Sequence, residues 1–202
     1  YGGWRGDVLT ALAAYRDHVE AVQLMDPDSQ QRIEQMAVRL STDKLTVAFV
    51  AEFSRGKSEL INAIFFAGYG QRILPSSAGR TTMCPTELLY DETFPTSIRL
   101  LPIETRAQGK SIADLKSEQQ VWTVFPLNLS SADSMQDAFR QVSLTKRVTV
   151  AQAHSYGLYE EADPDRALAV DADGLVEVSR WRHAIVNFPH PLLQQGLVII
   201  DT

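Results

Sequence analysis

"AEFSRGKSEL", residues 51–60, stands between the apolar run "LTVAFV" and the helix-like "INAIFF". The pattern G-x-x-x-x-G-K-[ST], placed on a strand, a turn and then a helix, is that of a phosphate-binding loop. Gly56, Lys57 and Ser58 stand in register with it, and Ala51 occupies the place of the first glycine. Gly-Lys-Ser alone is weak evidence, because so short a run recurs by chance. Context strengthens it: a buried strand is expected to end just before the loop, and a helix to begin at the lysine. That geometry points backbone N–H groups and a helix N-terminus at one anion. Lys57 would then reach the β- and γ-phosphates, and the Ser58 hydroxyl would ligate Mg²⁺. A methyl group at position 51 is the smallest possible departure from glycine, so binding is expected to survive it.

Working outward, "KLTVAFVAEF" (44–53) is β-branched and apolar on both faces, which predicts a central strand in a covered parallel sheet. "KSELINAIFFAG" (57–68) predicts a helix ending at Gly68. Residues 69–85 lack periodicity and read as a loop. "TELLYD" and "SIRLLPI" read as strands around "ETFPT". "SIADLKSEQ" and "SADSMQDAFRQV" read as serine-capped helices with the strand "VWTVFPL" between them, and "RALAVDADGLVEVS" as a hairpin turning at "DADG". "WRHAIVNFP" and "LVIIDT" predict two further strands. Upstream, Trp4, Val8, Ala11, Leu12, Tyr15, Val19 and Val22 form one apolar stripe. Asp26 and Pro27 start a second helix, whose buried face is Ile33, Met36, Ala37 and Leu40. The expected domains are therefore a helical hairpin over 1–42, a bundle element, and an α/β domain over 43–202 with an insertion at about 104–180.

The 202 residues, 45% hydrophobic and 22% charged, suit one full core or a core with a small satellite. No stretch approaches the roughly 20 apolar residues of a spanning helix, and the charged N-terminus is not a secretory signal. Cys84 is the single cysteine, which excludes an intrachain disulfide and suggests a reducing, cytoplasmic setting. A net charge of −6 argues against a broad nucleic-acid surface. "DADGLVE" fails as a calcium loop, with Ala169 and Arg180 at the first and twelfth ligand positions. His18, His154, His183 and His190 show no metal-binding spacing.

"VAEFSRGKSELINAIF", "LPSSAGRTTMCPTELLYD", "LLPIET" and "LVIIDT" together resemble the GTPase domain of the dynamin superfamily, most nearly its bacterial dynamin-like members. The resemblance covers about residues 40–105 and 181–202. It implies an incomplete P-loop G domain of mostly parallel sheet flanked by helices, preceded by helices that join a bundle. It implies a loop of Glu52, Phe53, Ser54, Arg55, Gly56, Lys57, Ser58 and Glu59 around the phosphates. Thr82 aligns with the switch I threonine that holds Mg²⁺ and the attacking water, with Thr81 as the alternative register. The loop "SSAGRT", including Gly79, would offer carbonyls to the catalytic centre. Asp201 resembles the start of the D-x-x-G motif and would bind Mg²⁺ through water. Ser54, fourth in the loop, matches members that use a serine and a bound monovalent cation; Arg55 as an arginine finger is the less favoured assignment.

By resemblance the chain binds GTP with Mg²⁺, hydrolyses it, self-associates through the G domain and remodels membranes through regions outside these residues. The expected setting is cytoplasmic, peripheral at the inner face of a membrane. Spacing alone allows ATP equally, and the chain is expected to stop in mid-domain. The alternative is a nucleotide-binding switch or scaffold with negligible turnover, which Ala51 favours. An ATP-dependent transferase is disfavoured, since it has no need of "TTMCPTE".

Overall fold

The computed structural model describes residues 2–41, 44–50, 56–74, 84–160 and 168–201. The chain divides into two compact units, Tyr1–Leu45 and Thr46–Thr202. In the first, α1 (Gly2–Ala21) and α2 (Pro27–Ser41) form a helical hairpin. Asp26 caps α2, its carboxylate accepting from the Ser29 N–H at 2.8 Å and the Ser29 hydroxyl at 2.6 Å. None of the described side chains of α1 and α2 is buried. Val8, Leu12, Val19, Ile33, Ala37 and Leu40 are half-buried, whereas Trp4, Ala11, Tyr15, Val22 and Met36 are exposed. Two helices alone cannot enclose a stripe that wide.

The second unit is α/β, as expected. In chain order it contains β1 (Leu45–Phe49), α3 (Lys57–Phe65), β2 (Thr86–Leu89), β3 (Ser97–Pro102), α4 (Ile112–Lys116), β4 (Thr123–Pro126), α5 (Ala132–Val142), β5 (Thr145–Thr149), α6 (Val150–Ser155), β6 (Leu175–Ser179), β7 (Trp181–Asn187), α7 (Pro191–Gln194) and β8 (Leu197–Asp201). Six strands form one sheet in the order β1-β8-β2-β7-β3-β4, and β5 pairs with β6 in a second. β2 and β7 run parallel, Thr86 opposite Ala184. The pairs β2–β8, β3–β7 and β3–β4 are antiparallel, so the mostly parallel arrangement expected holds only in part. β7 lies between β2 and β3. Their connection is therefore not a hairpin turn, and it is held by Asn187, which is 1% exposed. Its Oδ1 accepts from the Asp91 N–H at 2.7 Å, and its Nδ2 donates to the carbonyls of Asp91 and Phe94 at 3.0 and 2.9 Å.

Other expectations shift in detail. β1 is the terminal strand of the six and not a central one, with Leu45, Thr46, Val47 and Ala48 exposed. A β-branched apolar run specifies a strand, not how many neighbours it has. The helix expected to end at Gly68 ends at Phe65; a 3-10 turn at Ala67–Tyr69 follows, and the left-handed glycine is Gly70. The hairpin expected at "DADG" keeps its turn, with Asp171 Oδ1 accepting from the Asp173 and Leu175 N–H groups. Among the described residues, its first arm contributes the bridge Val170–Val176, while β5 is the main partner of β6.

One face of the large sheet carries Leu88, Ile98, Leu100, Ala184, Val186 and Ile199, packed with Ile61 and Phe65 of α3 and Met135 and Phe139 of α5. The opposite face carries Leu89, Leu101, Ile185 and Val198 against Leu115 of α4 and Trp122. Val148, Val176 and Val178 build a third core under the small sheet.

Candidate functional site

Gly56 has φ +83°, a left-handed conformation that costs a glycine least. It precedes Lys57 as the cap of α3 and donates no side chain to the helix start. The Leu60 N–H bonds back to the Gly56 carbonyl at 3.0 Å. The first N–H groups of α3 thus begin at Lys57 without a side-chain cap, facing the same side as the lysine's own backbone.

β8 delivers Asp201 to this helix start. Asp201 lies opposite Thr86 in the antiparallel ladder and is 1% exposed. The Ser58 hydroxyl points at its Oδ2 across 3.5 Å, while its Oδ1 is buried and has no hydrogen-bond partner. Burial pushes the Asp201 carboxyl above the usual range; the nearby Lys57 charge and the Ser58 hydroxyl pull the other way. A buried carboxylate with an unsatisfied oxygen beside a hydroxyl is a set of hard oxygen donors. A small divalent cation completed by phosphate and water oxygens fits that set.

The structure therefore brings Gly56, Lys57, Ser58 and Asp201 together. Glu59, on the same first turn, is held by Arg72 at 3.1 Å, and its Oε1 is buried without a hydrogen bond. Glu52, Phe53, Ser54, Arg55, Gly79, Thr81 and Thr82 lie outside the described residues, as does the loop 76–81.

Asn62 was passed over in the sequence. It is 7% exposed on the inner face of α3. Its Oδ1 accepts from the N–H groups of Ile73 and Leu74 at 3.0 and 2.9 Å, and its Nδ2 donates to the Leu74 carbonyl at 3.1 Å. One amide so ties the helix that begins at Lys57 to the chain entering the 75–83 segment. The available signal is an asparagine in a helical run between Leu60 and Ile61 on one side and Ala63 and Ile64 on the other.

Sheet, left-handed glycine turn and lysine-led helix define an α/β domain of the phosphate-binding-loop class. Residues 47–202 match the model of the dynamin family, and the chain belongs to that family. No curated protein matches it significantly. Two solved structures of an oligomerised bacterial dynamin pair, described as a mechanism for long-range sensing and tethering of membranes, are similar to it. The identities are 14% and 13%, with TM-scores of 0.40 and 0.36. Each comparison covers 100% of this chain and 28% of the other, so the chain spans little more than a quarter of their length.

Proposed function

We propose that this chain supplies the phosphate- and metal-binding part of an enzyme that binds GTP with Mg²⁺ and hydrolyses it to GDP and phosphate. The observation that carries this reading is the convergence of Ser58 and the buried, unsatisfied Asp201 at the start of a helix capped by a left-handed glycine. Lys57 would pair with the β- and γ-phosphates, and N–H groups of the first turn of α3 would donate to the remaining oxygens. Ser58, Thr82 and Asp201 would hold Mg²⁺, which neutralises phosphate charge when bound. Glu52, Phe53, Ser54, Arg55, Gly56 and Glu59 would complete the loop, with Ser54 and Gly79 toward the reacting phosphate and a monovalent cation. Thr82 would also hold the attacking water. Guanine over adenine, self-association through the G domain and work on membranes follow from family membership in this reading. So does a hairpin over 1–42 that joins a bundle, with the GTPase domain from 43 onward.

A second reading keeps binding and drops turnover: a nucleotide-controlled scaffold, favoured by Ala51 in place of the first loop glycine. Two measurements on the full-length protein test both. Lys57→Ala is expected to abolish binding of a fluorescent GTP analogue in Mg²⁺ without unfolding the domain, since the lysine adds little to the core; unchanged affinity overturns the nucleotide site. Turnover per molecule that rises with protein concentration supports the self-associating GTPase, and binding without turnover supports the scaffold.

A further inference from the structure

On the face of the large sheet opposite α3, one carboxylate is enclosed by groups from three elements. Glu87 of β2 is 8% exposed. Its Oε2 accepts from Lys116 Nζ of α4 at 2.6 Å and lies 3.3 Å from His183 Nε2 of β7. His183 is itself 6% exposed, and its Nδ1 is buried without a partner. A carboxylate only accepts, so Nε2 is the ring nitrogen that donates at the Glu87 contact. Among the described residues, Arg99 of β3 is a further charged group that interacts with Glu87; its guanidinium lies 4.1 Å from the Phe94 ring centroid and 5.9 Å from that of Trp122.

An ion pair whose Lys116 stays half-exposed is a poor stabiliser compared with the apolar side chains that fill the rest of this face. What it supplies is a fixed position. Ser111 and Asp114 cap α4 reciprocally, Leu115 is fully buried, and Trp122 Nε1 donates to the Leu115 carbonyl at 2.8 Å. Lys116 therefore reaches Glu87 from a seated helix. Glu87 adjoins Thr86, which lies opposite Asp201 on β8 and Ala184 on β7. In sequence, the strand that carries it begins just after Thr82.

Resting on the GTPase reading above, we infer that Glu87, clamped between Lys116 and His183, is a positioning residue for hydrolysis. It fixes the start of β2 and, through the ladder that sets Thr86 opposite Asp201, the end of β8 that carries Asp201, from the face of the sheet opposite α3. The insertion that contributes α4 thus acts on the reaction without touching the substrate.

The test replaces Lys116, which is half-exposed and whose loss leaves the core intact. In the full-length protein, Lys116→Met is expected to lower kcat for GTP about tenfold while nucleotide affinity stays within roughly twofold. Lys116→Arg is expected to recover most of the lost rate, because it restores the charge-assisted bond. Unchanged kcat in Lys116→Met overturns the inference. So does a joint fall of kcat, affinity and Tm that Lys116→Arg does not repair, since that is the pattern of general loosening. A wild-type protein that binds GTP and never turns it over overturns the GTPase reading itself, and the positioning role with it.

Discussion

Gly56 is the residue whose backbone the candidate site depends on most. A Cβ there would meet nothing within 4 Å, so the cost of Gly56→Ala lies wholly in its φ of +83°. Placing an L-residue in that conformation costs about 1–2 kcal/mol. Part of the loss is expected to appear as a lower Tm. The larger effect is expected on nucleotide affinity, because relief of the strain re-aims the first turn of α3. Calorimetry and a GTP-analogue titration on one preparation separate the two; an alanine variant with wild-type affinity shows that the left-handed turn is dispensable. At this scale the sequence was legible where a motif fixes spacing. Gly56, Lys57 and Ser58 are placed by their register, and Asp201 by its resemblance to the start of D-x-x-G at the end of an apolar strand. Asn62 was not, because a buried asparagine declares itself only through partners eleven and twelve residues away, and Glu87 only through partners in two other elements.

The contact of β2 with α4 and β7 makes its own prediction about pH. Burial alone would raise the Glu87 carboxyl, but the bonds from His183 and Lys116 outweigh it and hold the group at about 2, below its ordinary 4.5. A carboxyl with a depressed folded value contributes stability above its unfolded value, and that contribution is lost as pH falls toward the folded one. Between pH of about 4.5 and 2 the sheet unit is expected to lose stability on the order of 3 kcal/mol from this group. Glu87→Gln is expected to be less stable at neutral pH and to show a flatter acid profile across that window. Parallel profiles for the two proteins would show that the carboxylate is not clamped. Elements with their own punctuation were readable: Ser111 and Ser131 announced α4 and α5, and the run "WRHAIVNFP" announced β7. β5, α6 and α7 were not, because a polar strand such as "TKRVT" and helices of four to six residues carry too little periodicity. β1 was recognised as a strand and misplaced in the sheet, since neighbours are a tertiary property.

At the scale of the whole chain, the buried residues described in the three apolar cores all lie at or after Ile61. A chain starting at Lys44 is therefore expected to keep the unfolding transition of the sheet unit, with its Tm within about 3 °C of the longer chain. Loss of the cooperative transition would show that the hairpin is part of the same folding unit.

The strand order β2-β7-β3 also sets a timetable. During synthesis β2 and β3 leave the ribosome early, but the strand that joins them follows about eighty residues later, and pairing that distant is slow to form. Until β7 arrives, each of the two presents a bare edge of N–H and C=O groups that any other extended chain can occupy. The interval before Trp181 emerges is thus when the nascent protein is most exposed to mispairing. Chaperone demand is set there by connectivity, however good the finished core.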